Sequence, residues 1–254
     1  MQLIDTHCHL DFEVFAADRA QVMARAQALG VEHFIVPAVQ QSSWQSLVAL
    51  FHQQDCVDIA LGMHPMFMSA HSEAHIEMLD HALEQQRPLA VGEIGLDFYA
   101  PESDRQGQLL LFRAQLQLAA KHQLPVILHV RKAHDEVLQC LRDIPVIAGI
   151  VHAFNGSIQQ AQHYIGMNFK LGFGGMLTYS HSSKLRALAQ QLTLNAIVLE
   201  TDAPDMTVMQ HRGQRNSPEY LPYCLKALAA VRQQSEEVIA EATSENARQV
   251  LGLN

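Results

Sequence analysis

Residues 5–9 read Asp-Thr-His-Cys-His, two imidazoles separated by one residue. In an extended strand, side chains two positions apart project to the same face, so His7 and His9 would stand together as two metal-ligating nitrogens. The pair alone is a weak signal: a chain with 15 histidines in 254 residues yields about one H-x-H by chance. Further ligand types follow along the chain. "LAVGEIGLDFY" carries Glu93 just after an apolar run, with Asp97 four residues on. "PVILHVR" ends in His129, with Arg131 on the same face; "AGIVHAF" ends in His152; "AIVLETDAP" ends in Asp202; "ALGMHP" supplies His64. Each has a bland reading, since a buried histidine is often a hydrogen-bonded core residue and a carboxylate after a strand is often a helix cap. Their shared position, at the end of successive apolar runs, is what needs explaining.

The elements that would position them alternate. Apolar runs at residues 3–5, 34–39, 59–62, 89–92, 126–128, 148–151, 169–172 and 196–199 read as strands. Helical patterns lie between them at 18–29, 42–51, 74–85, 105–122, 133–141, 158–165 and 184–191, and two more follow at about 218–232 and 236–251. Strand–helix alternation implies parallel strands with right-handed crossovers. Eight repeats favour an α/β (β/α)8 TIM barrel with extra C-terminal helices over an open doubly wound sheet. The absence of G-x-G-x-x-G after the first strand weakens a dinucleotide-binding alternative. No linker or low-complexity tract divides the chain, so residues 1–254 read as one domain.

In such a barrel the strand C-termini form the catalytic mouth. Burying this many ionisable groups there without metal would be costly. Four histidines and two carboxylates exceed the needs of one tetrahedral ion and suit two divalent ions about 3.5–4 Å apart. Mixed nitrogen and oxygen donors favour zinc or manganese, with magnesium possible. A pair of this kind activates water and polarises a substrate oxygen, the chemistry of phosphoester, amide or lactone hydrolysis. His71, His75 and His81 fall in or beside a polar helix and read as solvated; His33, His52, His122, His163 and His181 read as away from the strand ends. His211 is left open.

"DTHCHLD", "GMHP", "GEIGLDFY", "HVRKAHDE", "HAFNGS", "ETDAP" and "RNSPEYL", in this order and over nearly the whole chain, resemble the blocks of the TatD-type metal-dependent hydrolases, often described as deoxyribonucleases. The resemblance implies an amidohydrolase-like TIM barrel with two divalent ions and phosphodiesterase activity on DNA, as a 3′→5′ exonuclease. It assigns His7, His9 and Asp202 to the first ion, His129 and His152 to the second, and Glu93 to a bridge between them. Asp202 would also accept a proton, and His64 and Arg131 would line the mouth and contact a phosphate, for which a guanidinium offers two parallel donors. One departure lies beside the site: Asp205-Met206 follows "TDAP", where the family commonly has an aromatic residue and then leucine.

The composition bounds the substrate. A formal net charge of −9 repels polyanions over most of the surface, so a nucleic acid would need local cations. That favours an alternative, a small-molecule amide, lactone or phosphoester on the same site. A non-catalytic metal-binding barrel is the third reading, and it would predict missing ligands. The four cysteines are dispersed, no apolar run spans a membrane, and no signal-peptide pattern opens the chain, so the cytoplasm is expected. The oligomeric state is left open; a monomer is compatible. Strand alternation places Asp5 one layer below His7 and Glu200 one layer below Asp202, either orienting ligand histidines or holding the barrel closed. Cys8 should face the helix layer.

Overall fold

All eight apolar runs form strands in the computed structural model, which describes residues 1–253. The strands are β1 (Leu3–Asp5), β2 (Val31–Pro37), β3 (Val57–Leu61), β4 (Ala90–Asp97), β5 (Val126–Arg131), β6 (Gly149–Val151), β7 (Phe169–Phe173) and β8 (Ile197–Leu199). Each pairs in parallel with its neighbours in chain order, as right-handed crossovers require. The intervening helices are α1 (Arg19–Ala28), α2 (Trp44–Phe51), α3 (Ala74–Gln86), α4 (Arg105–His122), α5 (His134–Asp143), α6 (Ile158–Gly166) and α7 (Ser183–Gln191), followed by α8 (Leu221–Arg232) and α9 (Glu236–Leu251). This is a (β/α)8 TIM barrel with extra C-terminal helices.

Two apolar layers hold it together. Phe34, Val36, Leu61, Val91, Leu128 and Val151 join the helices in the outer layer, which also takes Cys8. Alternate residues, among them Ile4, Ile35, Ala60, Ala90, Ile127, Ile150 and Val198, form a second cluster with Ala247, Val250 and Leu251 of α9. The strand period of two thus divides each strand between the two layers.

β1 and β8 meet across a seam. The Thr6 N–H and hydroxyl both donate to the Leu199 carbonyl, and the Asp202 N–H donates to the His7 carbonyl at 2.8 Å. The Asp5 carboxylate accepts from the Thr201 N–H (2.9 Å) and hydroxyl (2.6 Å). Asp5 therefore joins the seam and leaves the His7 ring alone.

Strand four departs from the sequence expectation. Its apolar run ends at residue 92, yet β4 continues to Asp97 and β5 to Arg131. The β4–β5 register shifts between Val91 and Ile94, around Glu93, and resumes with Gly95 opposite His129 and Asp97 opposite Arg131. Such irregularities re-aim side chains. Gly95 has φ +146, and a Cβ there would run into the His129 carbonyl, so the close approach of the two strands demands glycine.

Candidate metal centre

The strand ends bring six ligand-type side chains to one buried point. His7 and His9 follow β1, Glu93 sits in the irregular part of β4, His129 lies in β5, His152 follows β6 and Asp202 follows β8. Asp202 adopts φ +57, a left-handed conformation that aspartate tolerates better than most residues.

The donor atoms separate into two groups around the two oxygens of Glu93. Glu93 Oε2 lies 3.2 Å from His7 Nε2 and 3.6 Å from His9 Nε2. Asp202 Oδ1 completes this group, 3.6 Å from His7 and 3.9 Å from His9, whose Nε2 atoms are 3.3 Å apart. Glu93 Oε1 faces the other way, 3.2 Å from His129 Nδ1 and 3.1 Å from His152 Nε2, which lie 3.4 Å from each other. A tetrahedral ion with bonds of about 2.0–2.1 Å has donor–donor edges of about 3.3–3.4 Å. The second group, with edges of 3.1–3.4 Å, meets that test, and the first, at 3.2–3.9 Å, is a looser fit to the same geometry.

His64 is also within reach, its Nε2 3.1 Å from Glu93 Oε1. Its tautomer argues for a different job. Nδ1 accepts the Met66 N–H at 3.1 Å, so in the neutral ring the proton resides on Nε2. That nitrogen points a donor into the site, where a metal would need a lone pair. His129 is set the opposite way. Its Nε2 donates to Asp97 Oδ2 at 2.9 Å, leaving the Nδ1 lone pair for the second group. Asp97 Oδ1 is itself held by the Tyr99 N–H at 3.0 Å. Glu200 accepts from the Ala153 N–H and lies 3.8 Å from His152 Nδ1, too far for a hydrogen bond, so the Nδ1 atoms of His7, His9 and His152 all lack a partner.

Burial and neighbouring charge determine where protons sit. Burial, with His152 beside it, pushes His7 down to about 4; burial and His7 push His9 down to about 3. Burial alone would raise Glu93, but His64, His7 and His152 outweigh it and hold the carboxyl well below its usual range. Burial likewise opposes charge on His129 and His152. Asp97 and Glu93 reverse this for His129, and Glu93 and Glu200 reverse it for His152, so both lie above the ordinary imidazole range. Burial lifts Asp202 to about 7 against the pull of His152. Protons on the second group are those a metal ion would displace on binding.

A model of the TatD related DNase family matches residues 4–252. This chain belongs to the TatD family. It is similar to an uncharacterized metal-dependent hydrolase YjjV of Escherichia coli K12, at 39% identity over 96% of both chains. A crystal structure of YjjV superposes with a TM-score of 0.95 at 38% identity, covering 99% of this chain and 98% of that one. A 3'-5' ssDNA/RNA exonuclease TatD of Pantoea sp. is 34% identical over 99% of this chain and 100% of its own length. The chain is a metal-dependent hydrolase of this family.

The TatD-type centre opens into a cavity of about 830 Å³. Arg131 lines it, half exposed, its guanidinium carbon 3.6 Å above the Tyr99 ring and one nitrogen 4.0 Å from Asp97. His64 and Arg131 thus both reach the mouth. Among the remaining histidines, His71 is half-buried and bonds to the His64 carbonyl at 2.9 Å, which removes it from the solvated group. His181 lines the cavity because the segment after β7 folds over the mouth, a placement that strand spacing does not reveal. His211 stacks on Tyr220 with centroids 3.9 Å apart, outside the cavity lining. His134 bonds to Tyr164 and Asn155 as a core histidine.

Proposed function

We propose that the chain is a two-metal phosphodiesterase that removes nucleotides from the 3′ end of single-stranded DNA. The observation that carries this reading is the division of Glu93, one oxygen toward His7, His9 and Asp202 and the other toward His129 and His152. Those residues would hold two divalent ions, zinc or manganese by donor chemistry. When bound, the ions would supply Lewis acidity toward a phosphoester oxygen and lower the pKa of the attacking water.

The rest is work for side chains. Asp202 accepts the proton of the attacking water at its carboxylate. His64 donates its Nε2–H to a non-bridging phosphate oxygen, and the Met66 N–H keeps it in that tautomer. Arg131 offers two parallel donors to the same phosphate and is oriented by Tyr99 beneath it. The exonuclease name of the Pantoea relative supports nucleic acid as the substrate class. The four cysteines are unpaired, which suits a cytoplasmic location.

The test is release of labelled mononucleotide from a 3′-labelled oligonucleotide by metal-loaded protein, with His129→Ala as control. Equal degradation by both proteins sinks the nuclease assignment. A second reading, hydrolysis of a small phosphoester, amide or lactone, is favoured by the cavity itself. Its volume of about 830 Å³ is that of a small-molecule site, and Arg131 and Lys184 are its only lysine or arginine lining residues among those described.

A further inference from the structure

The β3–β4 ladder ends early. Its last pair is Leu61 with Val91, although β4 runs on to Asp97. The Phe98 N–H goes to the Arg131 carbonyl of β5 at 2.9 Å, so the Asp97 groups face the other side, where β3 has stopped. Two buried glutamines of α4 take over the pairing there. Gln108 Oε1 accepts the Asp97 N–H at 2.8 Å, and its Nε2 donates to the Asp97 carbonyl at 3.0 Å. Gln115 repeats the pattern beyond β3: Oε1 accepts the Met63 N–H at 2.8 Å, and Nε2 donates to the Met63 carbonyl at 3.1 Å. A primary amide carries donor and acceptor side by side, as a neighbouring strand does, so each glutamine stands in for a missing strand partner. The two lie about two helical turns apart and therefore on one face of α4. The rest of that buried face is apolar: Phe112, Leu116, Leu118 and Ala119.

Both gripped residues serve the candidate site. Asp97 holds the His129 Nε2–H at 2.9 Å, and Met63 immediately precedes His64. We propose that Gln108 and Gln115 are positioning residues of the metal centre: Gln108 sets His129 through Asp97, and Gln115 sets His64 through Met63. The inference deepens the two-metal reading and rests on it for its effect on metal binding. An apolar side chain of the same length would fill the space but leave a buried N–H and carbonyl unpaired at each strand end. Those ends would shift to find new partners, and the side chains they carry would shift with them. The helix end of this clamp is itself fixed. Asp104 caps α4 by accepting the Gly107 N–H at 2.9 Å, and the Arg105 guanidinium lies 4.8 Å from the centre of the Phe98 ring, beside Asp97.

The experiment reads each ring separately. In metal-free protein, heteronuclear NMR follows hydrogen exchange at the Nε2–H of His129, held by Asp97, and at the Nε2–H of His64, 3.1 Å from Glu93 Oε1. Gln108→Met keeps the length and removes both bonds; it should speed exchange at His129 at least about tenfold and leave His64 within about twofold. Gln115→Met should do the reverse. A purely structural role would speed both rings together through general opening. Gln108→Asn and Gln115→Asn, each too short to make the paired contact, replace a methionine variant that misfolds. Zinc titration against a competing chelator reads the metal side: Gln108→Met should weaken one binding event about tenfold, the low end for loss of an outer hydrogen bond, and Gln115→Met should weaken neither. Equal changes at both rings, ring protons too labile to observe in the wild type, or unaltered zinc binding and exchange in folded Gln108 variants overturns the proposal. If the wild type binds no zinc, the two-metal reading fails, while ring exchange still decides the clamp.

Discussion

Replacing Asp97 with asparagine should weaken the second metal group and spare the first. Asp97 Oδ2 takes the proton of His129 Nε2 at 2.9 Å, and Oδ1 takes the Tyr99 N–H at 3.0 Å. An asparagine that keeps its oxygen on Tyr99 must turn its NH2 toward His129. Two donors would then face each other unless the imidazole moved its proton to Nδ1, the atom 3.2 Å from Glu93 Oε1. That proton would block ligation. Loss of such an outer hydrogen bond typically costs about 10–100-fold in metal affinity, or about 1.4–2.7 kcal/mol. Asparagine should lie at the severe end and alanine at the mild end, since alanine leaves the tautomer free. Calorimetric titration with zinc against a competing chelator resolves two binding events; only one of them should shift. Two unshifted events in Asp97→Asn, or an alanine variant worse than asparagine, would refute the tautomer argument.

Three further outcomes follow from the same geometry. His64→Gln should keep the wild-type metal content while kcat/KM falls about tenfold or more, because Nε2 is a donor and not a ligand; loss of a metal ion on elemental analysis would contradict this. Asp5→Ala leaves the buried Thr201 N–H and hydroxyl without an acceptor across the β1–β8 seam and should cost about 2–4 kcal/mol in urea unfolding of the metal-free protein, with Asp5→Asn milder. A loss below about 0.5 kcal/mol, the range of an ordinary surface change, would remove Asp5 from the seam's support. Burial holds the thiols of Cys8 and Cys224 well above their usual range, and both are fully buried, whereas Cys56 is only partly so. Cys56 should therefore react first with a thiol-specific dye, and Cys8 and Cys224 only on unfolding; rapid native labelling of Cys224 would show that the α8 layer opens.

The barrel and the convergence of the candidate donors were legible because both depend on periodic patterns. An apolar run that stops at a histidine or carboxylate marks the mouth of a parallel barrel, and His7, His9, Glu93, His129, His152 and Asp202 all lie there. What escaped the pattern depends on local backbone. β4 outruns its apolar segment because Gly95 allows the strands to close on His129, and this places Asp97 beside that ring. The tautomer of His64 depends on one N–H, that of Met66, in the turn that follows it. Asp5 and Glu200 look equivalent by alternation, yet they take separate partners, Thr201 across the seam and Ala153 beside His152. His181 reaches the cavity through the fold of a connection, where no period operates.

The most direct test is anomalous diffraction from crystals of the protein reconstituted with zinc or manganese. Two peaks flanking Glu93 are expected, one on the side of His7, His9 and Asp202 and the other on the side of His129 and His152. A single peak, or two that do not share Glu93, would contradict the two-metal centre.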